Sequence, residues 1–345
     1  MWKYVLKRIG LAFVTAFIII SLTFILIKLL PLERVVGSEA NVYAYYEKQL
    51  ALGYVDSYSS EQPQLGEYLY KFTDAKKNVQ YFYNAPVFRQ YFSWIKNIVT
   101  KWDWGYSLKI EPNVAATVII GERLAVSMKL NIFSVLFSVP IGIALGIWAA
   151  LKKNTMTDHI ISTTVMICIS IPSFVLITFL LLLFSYNLGW LPTQWPSMYD
   201  GVDKQILGYI LPVFCLSFGS ICGYCRYTRA ELCEVMSSEY LLLARTKGLT
   251  KKQAIMRHAL RNAMVPIFPS ILAEFLGIMS GSMILEKLYG IPGIGTLFID
   301  ALNGKDYNVL FVDMAIFTTM SLVAGVFLDI SYSFIDPRIR MGAKK

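Results

Sequence analysis

Apolar and polar stretches alternate along this chain in a way that predicts six membrane-spanning helices. Ile9 to Ile27 is an uncharged run ending near Lys28 and Pro31. That length crosses a hydrocarbon core as a helix and exceeds the core of a cleaved leader, so it reads as a retained first span. Apolar runs at about 124–151, 158–188, 206–226, 266–288 and 309–330 predict the others. Gly142-x-x-x-Gly146 in the second run, beside Pro140, allows close helix packing, within this chain rather than between copies. Pro172 is expected to kink the third span. Three glycines around Pro292 predict a tight, non-helical connection over 286–298.

The polar segments between these runs differ in character. Residues 32–122 hold no apolar run long enough to span, are rich in tyrosine, and suit a small domain or a cap of short helices. The segment from Arg226 to Arg261 carries eight Lys/Arg against three acids, Glu231, Glu234 and Glu239. Its chemistry predicts helix, break, helix. Tyr240 to Ala244 are good helix formers, Gly248 can take the left-handed conformation that ends a helix, and Thr250 with Gln253 has capping-box spacing. Such a unit is either a basic interfacial loop touching anionic lipid or a docking helix for a partner.

Charge placement orients the spans. Short segments at 3–8, 152–153, 226–261 and 338–345 cluster Lys/Arg, whereas 189–205 and 286–307 carry only Lys204, Lys287 and Lys305. The positive-inside rule then places both termini in the cytoplasm and 32–122 outside. The domain division is 1–31 (tail and first span), 32–122 (external region), and 123–345 (core, with a cytoplasmic loop at 226–264).

Composition agrees: 345 residues, 56% apolar, mean hydropathy +0.52 and net charge +9 mark a polytopic membrane protein in contact with lipid, not a nucleic-acid binder. The five cysteines (168, 215, 222, 225, 233) leave 31–123 without a disulfide of its own. Cys222 and Cys225 form a lone C-x-x-C, and with two histidines in the chain no metal site is expected. His159 reads as an interfacial residue. Trp190 and Trp195 suit an interfacial belt. No G-x-x-x-x-G-K-[ST] loop, H-E-x-x-H or G-x-S-x-G occurs, so no catalytic residue or bound cofactor is expected here. Any energy source must come from another chain.

The loop also resembles the coupling loop of binding-protein-dependent ABC importer permeases, whose pattern is E-A-A, three residues, Gly, nine residues, I-x-L-P. Ala244, Gly248 and Leu260 fall on that pattern; Leu242, Leu243, His258 and Arg261 depart from it. A-R-T-K-G-L at 244–249 followed by R-H-A-L-R-N-A at 257–263 is similar to the oligopeptide/dipeptide branch. So are D-x-G-x-S at 103–107, E-x-x-x-G-I-P-G-x-G at 286–295, Asp306–Tyr307 and Asp336–Arg338. The resemblance covers about Leu124 to Arg340, and the first span more weakly.

It implies an all-α membrane protein with the type I importer permease fold and an enlarged external region, most of 33–90 being an insertion. It further implies a second homologous permease, two ATPase subunits that bind ATP and Mg, an external substrate-binding lipoprotein or protein, and a peptide substrate, in a bacterial cell membrane. Coupling through 237–261 would use Glu239, Tyr240, Ala244, Arg245, Lys247, Gly248, Leu249, His258 and Leu260. A permease for nickel or another small solute shares this loop. The rival class is an ion-gradient-driven secondary transporter, which expects inverted repeats and intramembrane carboxylates. The one clear mid-span acid is Glu274. At bilayer depth it should avoid lipid, either holding helix packing or lining the translocation path.

Overall fold

A computed structural model describes residues 2–30, 35, 37–277 and 281–335 of this chain. The expected domain boundary at 31/32, Asp336–Arg338 and the basic stretch 338–345 lie outside the described residues. Two compact units divide the rest. One comprises 1–12, 124–296 and 320–345, the other 13–123 and 297–319.

Among the described residues, five helices are long and apolar enough to cross a membrane, and a bent helix pair makes a sixth span if counted as one. They are α1 (Trp2–Lys28), α4 (Ala116–Leu151), α7 (Val202–Met236), the helix reaching from Lys251 to Leu276, and α13 (Tyr307–Ile335). The bent pair is α5 (Met156–Ile169) with α6 (Ser173–Leu180), which runs on as a π-helix to Asn187. Pro172 does more than kink this span. It adopts an extended ψ of 141° and the two halves meet at 96°. Its ring and missing N–H prevent the helix from running through.

The unit holding 124–296 has its apolar core where α4, α6, α7 and α11 (Met283–Tyr289) meet, around Leu130, Ile177, Leu211, Leu285 and Tyr289. Gly142 and Gly146 pack against α7 of the same chain. A Cβ at Gly142 would lie 2.7 Å from the Ile221 carbonyl, and one at Gly146 2.6 Å from that of Cys225. Asp158, in the first turn of α5, is buried and accepts both Nε (2.5 Å) and Nη2 (2.8 Å) of Arg229 on α7. In the same unit, Arg8 of α1 pairs with Asp329 of α13 at 3.1 Å.

Three sequence-based boundaries shift. α7 reaches Met236, so Arg226 and Arg229 sit on the span and not in the loop. The fifth span ends at Leu276 instead of Leu288; Gly281 takes a positive φ (63°) and α11 begins anew at Met283. The 286–298 stretch is largely helical, since α11 and α12 (Ile294–Gly304) enclose only the Gly290–Gly293 turn. Trp195 is not a free belt residue either. Its backbone N–H donates to the Tyr289 carbonyl at 2.8 Å and its ring meets Tyr209 edge-on.

The unit holding 13–123 is not built of short helices alone. Between α2 (Glu39–Leu52) and α3 (Val87–Lys101) lies an antiparallel sheet of β1 (Val55–Tyr58), β2 (Tyr70–Thr73) and β3 (Val79–Asn84), in the order β1-β3-β2. The tyrosines that marked this region in the sequence supply its core. Tyr46 stacks on Tyr70 (5.2 Å) and on Phe82 (5.5 Å), above Val42 and Val55. Aromatic and β-branched residues suit a half-buried pleated surface, which is why this polar segment can fold here as a sheet.

Candidate functional site

The basic stretch folds as expected at its centre. Short helix α8 (Glu239–Thr246) is followed by Gly248 at φ +93° and then by α9 (Lys251–Ala254), the start of the helix that runs to Leu276. The capping box is complete. The Gln253 N–H donates to Thr250 Oγ1 (3.3 Å) and the Thr250 N–H to Gln253 Oε1 (3.1 Å). Two of the orphan donors at that helix start are thereby satisfied. The helix contains a π-turn at 255–259 before continuing as α10 (Leu260–Leu276).

Its inner side is anchored. Leu241 of α8, Ala254 and Ile255 pack on Ala150 at the end of α4 and on Leu232 and Cys233 of α7. Leu249 adds to this cluster from the turn. The outer side is unusual for a connecting segment. Leu242 (62% exposed), Leu243 (57%) and Tyr240 stand out of α8, and Met256 out of the next helix. Arg245, Lys247, Gly248 and Glu239 are exposed among them, and Ala244 is half-buried. His258 and Leu260 belong to the following helix, the first exposed on the π-turn and the second half-buried. An apolar patch with a basic rim, held on a packed base, is the form of a surface that binds another molecule.

Glu274 sits beside the middle of α7 and of α4. It lies two residues before the end of α10, half-buried, and accepts the Ser220 hydroxyl of α7 at 2.5 Å. With Asn131, Ser134 and Gly277 it lines an open cleft of about 260 Å³. A hydrogen-bonded carboxylate in a polar cleft avoids the cost of facing lipid.

Two buried carboxylates that the motifs contained, but whose roles were not assigned, organise the other turns. Glu286 accepts the Ser127 hydroxyl (2.7 Å) and the backbone N–H groups of Ser282 (3.3 Å), Gly295 (2.8 Å) and Thr296 (3.2 Å). It caps the start of α12, where amide donors are otherwise orphaned. This explains the neighbouring glycines: a Cβ at Gly293 would lie 2.4 Å from the Glu286 carboxylate. In the other unit Asp306 Oδ2 accepts the Ser107 hydroxyl (2.6 Å) and the N–H groups of Leu108 and Lys109 (2.9 Å each). Thus D-x-G-x-S and Asp306–Tyr307, separate in the sequence, form one joint. Asn308 completes it by donating to the Tyr106 carbonyl at 2.9 Å. The Asp158–Arg229 pair had no sequence motif; its signal was an acid in the first turn of a span.

Spanning helices, a broken third span and an anchored basic loop with an exposed apolar face define the class as a helical membrane transport permease. The family model described as binding-protein-dependent transport system inner membrane component matches residues 142–341. The oligopeptide transport system permease protein OppB of Haemophilus influenzae is 31% identical over 340 residues, 99% of this chain and 100% of that protein. The dipeptide transport system permease protein DppB of Lactococcus lactis subsp. cremoris is 32% identical over 342 residues, 99% of this chain and all of its own. In fold, a chain of the MetNI methionine ABC transporter in an inward-facing crystal form matches with TM-score 0.50 at 15% identity, covering 64% of this chain and 97% of that one. The chain belongs to the family of binding-protein-dependent transport system inner membrane components, the permease subunits of ABC importers.

Proposed function

We propose that this permease carries oligopeptides or dipeptides across a bacterial cell membrane and takes its energy from ATPase subunits docked on the 237–261 loop. The observation that carries the docking reading is the two-sided loop. Leu241, Ala254 and Ile255 fix it to α4 and α7, while Tyr240, Leu242 and Leu243 are left facing outward. A push on α8 is therefore transmitted to two spans, because a packed interface moves as a body. The peptide reading rests on the OppB and DppB relatives. A second, homologous permease would complete the path, and an external binding protein would deliver substrate. Alternating access follows: closure of the ATPases reorients the spans and opens the path outward, and hydrolysis releases substrate inside. The Arg8–Asp329 pair, near the start of α1 and the end of α13, supports both termini lying on one side, which the basic segments identify as the cytoplasm.

The test is co-purification and uptake with Leu242→Glu and Leu243→Glu, which alter exposed side chains only. ATPase subunits should be lost from the complex and ATP-dependent uptake of labelled peptide should fall, with normal membrane levels of the chain. Full ATPase recovery with both variants would overturn the docking reading. Uptake of nickel or another solute, but not of peptide, by the wild-type complex would overturn the substrate.

A further inference from the structure

Helix α3 is built inside out. Its buried side presents Gln90 and Asn97 as well as Trp94. The two amides are satisfied by backbone: Gln90 Nε2 donates to the Ala85 carbonyl (2.6 Å) and Asn97 Nδ2 to that of Leu52 (3.0 Å). Its opposite side carries Phe88 (74% exposed), Phe92 (55%), Val99 (78%) and Trp102 just beyond the last turn (71%), with Ile95 half-buried in the same row. The 4-3-4 spacing of Phe88, Phe92, Ile95 and Val99 confines these four to about 60° of the helix circumference. Exposed Arg89 and Lys96 flank that stripe along one edge, Arg89 donating to Asp56 Oδ2 of β1 at 2.9 Å. A helix in water keeps its apolar stripe inward; this one turns it out.

The other edge of α3 fixes its depth. The Tyr91 hydroxyl donates to Ser21 Oγ of α1 at 2.8 Å, and Trp94 stacks on Phe24 at 4.8 Å. Ser21 lies seven residues before the end of α1 at Lys28, or about 10 Å along the helix axis. On its free side α1 exposes Leu22, Ile25 and Leu26. The stripe of α3 continues that lipid-facing surface at a level inside the end of the span.

We propose that α3 is an interfacial helix whose Phe88, Phe92, Ile95, Val99 and Trp102 sit in the acyl–headgroup boundary of the bilayer, with Lys96 reaching lipid phosphate. Interfacial helices take this form, an apolar face sunk several ångströms below the headgroups with basic residues at the polar edge. The region between the first two spans is therefore held down on the membrane by its own helix as well as by α1. The inference needs only that α1 spans, and stands whatever solute the complex carries.

The experiment is spin-label accessibility on the full chain in nanodiscs of phosphatidylethanolamine and phosphatidylglycerol. Labels go at Phe92→Cys and Val99→Cys, both exposed; the ring contacts of Phe92 are to Phe88 and Tyr91 of its own helix. Leu22→Cys on α1 serves as the lipid reference and Ser59→Cys as the aqueous one; the unaltered chain gives the background of its own cysteines. Both α3 labels should match Leu22→Cys, with oxygen collisions exceeding those of a water-soluble nickel chelate several-fold. Behaviour like Ser59→Cys would overturn the proposal in favour of a solvated face. Low collision rates with both agents would overturn it in favour of a protein partner covering the stripe.

Discussion

Replacing Glu286 by Gln tests how the turn after the fifth span is held. Glu286 is 2% exposed and receives four donors, two on each carboxylate oxygen. A glutamine of the same shape keeps one oxygen, which best serves the Gly295 and Thr296 amides at the start of α12. Its NH2 then faces Ser127, whose hydroxyl can turn to accept, and the Ser282 N–H, which cannot. One backbone donor is orphaned and the remaining bonds lose their charge. A buried unsatisfied donor costs about 1–3 kcal/mol, and charge-assisted bonds are roughly twice as strong as neutral ones. The expected loss is about 2–4 kcal/mol for Glu286→Gln. Glu286→Ala orphans all four donors and opens a cavity, so it should cost clearly more. Gly293→Ala should resemble Glu286→Ala, because its methyl would occupy the carboxylate's place. The assay is thermal stability of the detergent-solubilised chain by fluorescence-detected size exclusion, with wild type as reference. If Glu286→Gln and Gly293→Ala both melt with wild type, the carboxylate does not hold this turn and the reasoning fails.

The other predictions are shorter. Asp158→Asn strands the Arg229 guanidinium beside a neutral amide and should destabilise by about 3–5 kcal/mol; the Asp158→Asn, Arg229→Met pair should recover much of that in the same melting assay. Gly248→Val meets no atom within 4 Å, so only its φ of +93° opposes it; it should cost about 1 kcal/mol or more, leave membrane insertion intact and weaken ATPase co-purification, whereas Gly248→Asn is milder. Glu274→Gln should leave complex yield unchanged. If its carboxylate meets substrate, uptake falls more for peptides with a free amine than for N-acetylated ones, and equal uptake of both would assign it to packing. The purified chain without partners should hydrolyse no ATP, as measured by phosphate release; hydrolysis abolished by a point change in this chain would contradict the permease reading.

What sequence alone determined was whatever depends on short-range chemistry. The length of Ile9–Ile27 made α1 a span, and Thr250 with Gln253 made a capping box, because each signal is complete within a few turns of helix. The glycines at 142 and 146 announced a close approach, though only the fold names Ile221 and Cys225 as what approaches. Hydropathy did not show where the fifth span stops, since apolar Met283, Ile284 and Leu285 follow soon after it. The helix ends at Leu276, and Gly281 has a positive φ of 63° just before α11 begins. The tyrosines of 43–83 marked a distinct region without saying that they stack across a sheet, because strand pairing joins residues far apart in the chain. The same limit hid the acids. Asp158 with Arg229, Glu286 with Ser127, and Asp306 with Ser107 are separated by 71, 159 and 199 residues. A buried carboxylate is tolerable only with its donors in place, and only the tertiary structure brings those donors within reach.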